Sequence, residues 1–125
     1  MRGIRGAVNV PENTAAAIGE ATRKLLLAMM LENEADTKDI ISVMFTMTKD
    51  LNAAFPAASA RQIQGWNLVP MLCAVEVDVP GSMGKCIRVL MLANTNKNQR
   101  DIKHVYLGEA VKLRPDLGNP PPSKA

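Results

Sequence analysis

Apolar and polar positions change their spacing several times along the chain, and each change predicts an element. Residues 2–10 carry two glycines and stop at Pro11, which predicts a short first strand over Ile4 to Val10. Ile18, Ala21, Leu25, Leu26 and Met29 then recur at helical spacing, while Glu20, Arg23, Lys24 and Glu32 point elsewhere. That pattern predicts a helix over about 14–33, with Asn13 as its N-cap. Ile40 to Thr48 alternates instead. Val43, Phe45 and Met47 line one face, and Ser42, Met44, Thr46 and Thr48 the other, which predicts a strand. The stretch from Asp50 to Gln64 is Ala-rich and helix-prone, but broken at Phe55-Pro56. Proline suits a first helical turn, so a short helix restarts at Pro56 and ends by Gly65.

Met71 to Val79 and Lys85 to Ala93 both alternate as strands, and Pro80-Gly81-Ser82-Met83-Gly84 between them is a turn signal. Folding the two into a hairpin about Ser82 sets Glu76 and Arg88 at equal distances from the pivot, opposite each other on one face. Asn94 to Arg100 is polar and loop-like, and a last extended segment covers about His104 to Leu113. The end, Gly118 to Ala125, is too Pro-rich and polar to pack. A single domain over 1–117 with a flexible tail over 118–125 is the resulting organisation.

Composition narrows the choices. Of 125 residues, 47% are hydrophobic but only 3% aromatic, so the core is aliphatic, with eight methionines among its fillers. Small aliphatic cores gain burial by oligomerising. The net charge of +3 is spread along the chain without a basic run, which argues against nucleic-acid and lipid surfaces. Seven arginines favour a small anionic ligand, because guanidinium grips carboxylates through a bidentate fork. Cys73 and Cys86 have no metal or disulfide spacing, the N-terminus has no apolar signal region, and no apolar run is long enough to span a bilayer. A soluble, reduced, cytoplasmic protein is expected, with no membrane or nucleic-acid partner.

The chemical inventory is sparse. His104 is the only histidine, no Ser-His-Asp or Cys-His set can be assembled, and metal-ligand clusters and phosphate-loop glycines are missing. No metal or cofactor is expected. What stands out is a set of arginines near strands and breaks: Arg5, Arg61, Arg88 and Arg114. Arg88 lies inside the apolar run Cys86 to Leu92, where a charge is costly unless paired. A structural ion pair with Glu76 and a ligand site both account for it at this point.

The same positions carry a family resemblance. Arg2-Gly3-Ile4-Arg5-Gly6-Ala7, Phe55-Pro56-Ala57, Ala60-Arg61, Gly65-Trp66 and Val69-Pro70 occur in order, followed by Glu76, Cys86-Ile87-Arg88-Val89, His104-Val105-Tyr106-Leu107 and Leu113-Arg114-Pro115-Asp116-Leu117. Together they resemble the monofunctional chorismate mutases, over nearly the whole chain. The resemblance implies an α+β fold, a ferredoxin-like mixed sheet with helices on one face. Three copies would build a homotrimeric pseudo-α/β barrel with active sites between subunits. It implies an isomerase of the shikimate pathway that converts chorismate to prephenate for phenylalanine and tyrosine synthesis by a Claisen rearrangement. Such a reaction needs no nucleophile, metal or cofactor.

By the same resemblance Arg88 would stabilise charge on the breaking ether oxygen, and Glu76 would accept from the substrate hydroxyl with Cys73 nearby. Arg5 and Tyr106 would hold a carboxylate, and Arg61 and Arg114 would close on the anion. Phe55, Ala57, Met71 and Leu113 would form an apolar wall. Ala58 and Leu72 stand where some members of the family carry Lys and Thr, which removes possible polar contacts. The rival class is a YjgF-like trimeric ligand-binding protein or imine deaminase, which also uses an arginine at a subunit cleft. A structural oligomer without activity is a second alternative.

Overall fold

The computed structural model describes residues 1–113, so Arg114 and the tail expected over 118–125 lie outside the described residues. In chain order the elements are β1 (Arg2–Asn9), α1 (Ala15–Glu32), β2 (Ile40–Met47), α2 (Pro56–Ala60), β3 (Met71–Val75), β4 (Cys86–Ala93) and β5 (Val105–Leu107), followed by a 3-10 segment at Gly108–Leu113. The five strands form one mixed sheet in the order β3-β2-β4-β1-β5. β4 runs antiparallel to both β1 and β2, whereas β5 is parallel to β1 and β3 is parallel to β2. The parallel pair β1 and β2, joined by α1 and held apart by β4, is the split β–α–β unit of a ferredoxin-like α+β domain.

Alternation along the strands decides where the core sits. Ile4, Val8, Val43, Phe45, Ile87, Val89 and Met91 face α1, whose Ile18, Leu25, Leu26 and Met29 are buried against them. Each such side chain contributes roughly 1.5–3 kcal/mol when fully removed from water. α1 crosses β1 closely at Gly6, where a β-carbon would run into the Met29 thioether. Trp66 is fully buried, so packing is its role.

Three expectations need correction. The N-cap of α1 is Thr14, whose hydroxyl accepts from the Ala17 N–H at 3.1 Å; Asn13 instead ties down the loop after β2, accepting from the Asn52 and Ala53 N–H groups. The segment after β5 is not extended. Gly108 takes a left-handed φ of 60° against the Asn9 side chain, which accepts from the Glu109 N–H at 2.7 Å, and the chain turns into a 3-10 helix. Finally, β3 and β4 do not pair as a hairpin. β3 ends at Val75, and β2 lies between it and β4. Alternation records that two segments are strands, but not which strand separates them.

Among the described residues no helix is long and apolar enough to cross a membrane.

Candidate active site

The register of the sheet aligns one row of residues across all five strands: Tyr106 of β5, Ala7 of β1, Arg88 of β4, Thr46 of β2 and Ala74 of β3. Paired residues share a face, and this row lies on the side away from α1. Glu76 follows the end of β3, and its N–H donates to the Met47 carbonyl at 2.7 Å, extending the β2–β3 ladder by one bond. Its carboxylate folds back over β2. The Oε2 atom accepts from the Thr46 hydroxyl at 2.5 Å and lies 3.6 Å from Arg88 Nε. Glu76 and Arg88 therefore do meet on one face, across an intervening strand rather than along a hairpin.

This ion pair is a weak structural brace. The Arg88 side chain is 50% exposed and Glu76 24% exposed, and pairs of that kind add little stability. One contact at 3.6 Å also leaves most of the five guanidinium donors for another acceptor. The arrangement sets a half-exposed cation beside a carboxylate held by a threonine on an open sheet, suited to an anionic ligand that also carries a hydroxyl.

Arg5 lies on the same face, paired with Leu90, and is exposed. Its N–H donates to His104 Nδ1 at 2.9 Å, which places the lone histidine in a backbone tie. Tyr106 is buried with Ala7, Cys86 and Ala110, and Leu113 packs against this small cluster, so the 3-10 segment covers one end of the open face. Burial pushes the Cys86 thiol up to about 11, with the Arg88 charge opposing the shift, so it remains a neutral thiol at neutral pH.

The remaining expected residues form a second group on the helix side. Met71 and Cys73 pair with Val43 and Phe45, whose side chains enter the core. Phe55 caps α2 and is 69% exposed, Ala57 is buried, and Arg61 is exposed at the C-cap of α2. Phe55, Cys73, Met47 and Val75 line a cleft of about 520 Å³. Arg5, Glu76, Arg88, Tyr106 and Leu113 thus belong to the open face, with Glu76 in contact with Arg88 and Leu113 packed near Tyr106. Met71 and Cys73 lie on the helix side, where Cys73 shares a cleft with Phe55 and α2 carries Ala57 with Arg61 at its C-cap. Arg114 lies outside the described residues.

Two residues outside the expected set bear on the site. Thr46 holds Glu76, as its place on the polar face of β2 allowed but did not single out. Asp50 accepts from the Lys85 N–H at 2.9 Å and from the Thr48 hydroxyl at 2.6 Å, which fixes the entry to β4 and hence to Arg88. The Thr48 hydroxyl first, then the Lys85 N–H, hold the Asp50 carboxyl below its ordinary range. Among the described residues there is no cluster of His, Cys, Asp or Glu able to hold a metal.

The family model for chorismate mutase type I matches residues 1–117. The chain belongs to that family. It is 54% identical over 118 residues to the chorismate mutase AroH of Thermus thermophilus, covering 94% of this chain and 96% of that protein. It is 44% identical over 117 residues to chorismate mutase AroH of Bacillus subtilis (strain 168), covering 94% and 92%. A solved chorismate mutase from Clostridium thermocellum superposes with a TM-score of 0.86 at 53% identity, over 88% of this chain and 97% of that one. The match sets the imine-deaminase alternative aside and makes this chain a type I chorismate mutase domain with the mixed α+β sheet expected for it.

Proposed function

We propose that Arg88 and Glu76 carry the family's reaction in this chain, the isomerisation of chorismate to prephenate. The chain is an enzyme of that activity. The observation that supports the residue assignment is the Glu76–Thr46–Arg88 cluster on the open face of the sheet. In the rearrangement one C–O bond breaks as one C–C bond forms within a single molecule, and no group is transferred to the protein. Two tasks remain. The protein must hold a flexible dianion in the compact conformer whose ends can react. It must also place a cation where negative charge grows on the ether oxygen.

Arg88 supplies that cation, and a preorganised donor of this kind contributes roughly 3–4 kcal/mol to the barrier. Glu76 accepts from the substrate hydroxyl. Arg5 and Tyr106, near Arg88 on β1 and β5, take a carboxylate. Arg61 and Arg114 close over the anion, while Phe55, Ala57, Met71, Cys73 and Leu113 line the apolar side.

The two groups of residues belong together only if a neighbouring copy supplies one of them, so we read the active enzyme as a homotrimer with sites between subunits. Supporting this, Met44, Leu72 and Leu90 are 42%, 66% and 47% exposed on one open face, an apolar patch that a monomer would leave in water. We further read residues 1–117 as the catalytic domain and 118–125 as an appended tail. A soluble, cytoplasmic setting accords with the two free cysteines.

The test is loss of chorismate absorbance on mixing with purified protein, with prephenate identified by chromatography, alongside the mass in solution by light scattering. Rapid conversion by a trimer is expected. A folded protein converting chorismate no faster than it rearranges unaided would overturn the assignment of Arg88 and Glu76.

A further inference from the structure

We propose that Thr46 is a positioning residue for Glu76, and through it for the Arg88 guanidinium; this rests on the reading of Glu76 and Arg88 given above. Glu76 starts on the far side of β2 from Arg88, about two strand spacings or 10 Å away in backbone terms. Its side chain has three rotatable torsions and is partly exposed, so it needs a fixed point to stay over the sheet. Thr46 supplies one at 2.5 Å. A β-branched side chain on a strand has a restricted χ1, so the hydroxyl direction is set by the backbone rather than by the ligand. Ala74, next to Thr46 in the register, is too small to obstruct the carboxylate as it folds back.

The Thr46 hydroxyl and Arg88 Nε both address Oε2 of Glu76. A single hydroxyl proton committed to that oxygen leaves Oε1 to meet the substrate hydroxyl, and it orients the carboxylate before substrate arrives. Preorganisation of this kind acts on the rate, since small displacements of a reacting geometry are costly. Thr46 touches neither substrate nor reacting atoms in this scheme.

The experiment compares Thr46→Val, which keeps shape and strand propensity but removes the hydroxyl, with Thr46→Ser, which keeps the hydroxyl. Thr46→Ala is a second deletion in case valine packs poorly. Thr46→Val is expected to lower kcat about ten-fold, the scale of one hydrogen bond to a charged group. KM should change less than about two-fold and the melting temperature little, and Thr46→Ser should restore turnover. In a Glu76→Gln background, Thr46→Val should cost no further activity, because the two act as one unit.

Undiminished turnover of Thr46→Val beside a slow Glu76→Gln would overturn the role of Thr46 and leave that of Glu76 standing. Additive losses in the double variant would overturn it too, by showing that Thr46 acts independently. Near-normal turnover of Glu76→Gln would remove the Glu76 reading itself, and this proposal with it.

Discussion

Under α1 the sheet presents Ile4, Phe45, Val89 and Met91, all almost inaccessible to water; on its other side Met44, Leu72 and Leu90 stand exposed among Arg5, Glu76 and Arg88. The same strands supply both faces, because successive side chains alternate. The first face is covered within the chain by α1 over most of its width, with Ala57, Ala60 and Trp66 adding to the same core. Among the described residues the second is covered at one end, where the Gly108–Leu113 segment packs over Tyr106 and Cys86. In the reading proposed above, a face that mixes exposed aliphatics with charges takes two kinds of occupant, other copies of the chain and a small anion. The contrast therefore separates the residues packed under α1, which determine stability, from the charged row around Arg88, to which we assign the chemistry.

The largest expected effect breaks the covered face. Phe45→Ala should cost about 3–5 kcal/mol in a denaturant melt, through lost transfer energy and the cavity left behind, with turnover per folded molecule retained. Next, Arg88→Lys should lower kcat about 10²–10³-fold, because an ammonium lacks the guanidinium's fork, while the melting temperature moves by no more than about 2 °C. A large drop in melting temperature in that variant would put Arg88 with the structural residues. Leu90→Lys should shift the protein towards monomer by light scattering and reduce activity with it; an intact, active trimer would break the reading of the open face as an interface.

A smaller effect concerns Cys86. Its thiol ionises at about 11 when folded and near 9.0 when unexposed to burial, so the unfolded chain loses this proton first as pH rises. Stability from this group is fully present below pH 9 and falls between pH 9 and 11, and Cys86→Ala should flatten that limb of the pH–stability curve. A thiol reagent should label the partly exposed Cys73 well before Cys86. Smallest of all, Lys49→Ala removes a pair with Asp78 whose partners are both well exposed, and no measurable change in the melting curve is expected.

Local pattern carried the elements well. The stripe from Ile18 to Met29, the alternation of Val43, Phe45 and Met47, and the restart at Pro56 are each set by spacing within a few residues, and each appears in the fold. Strand order was not legible in the same way. Nothing between Val75 and Cys86 says that β2 will stand between their strands, since that depends on where α1 returns the chain. The spacing about Ser82 predicts that Glu76 and Arg88 meet across a hairpin; they meet instead because two long side chains reach across a threonine on the strand between them. The resemblance named the candidate site residues more fully than periodicity could. It did not reveal Thr46 or Asp50, whose roles lie in hydrogen bonds between segments distant in sequence.

The placement of β4 also sets a timetable. β1 pairs only with β4 and β5, both of which come late in the chain. During synthesis β1 and β2 must therefore wait, with α1 between them, until residues 86–93 have emerged to fill the gap. Until then two apolar strands have open edges facing one another, the kind of surface that invites association with other chains. Closing such sequence-distant pairs is slow compared with forming a helix. The strand that carries Arg88 is thus also the one whose arrival ends the most vulnerable interval in the life of the nascent protein.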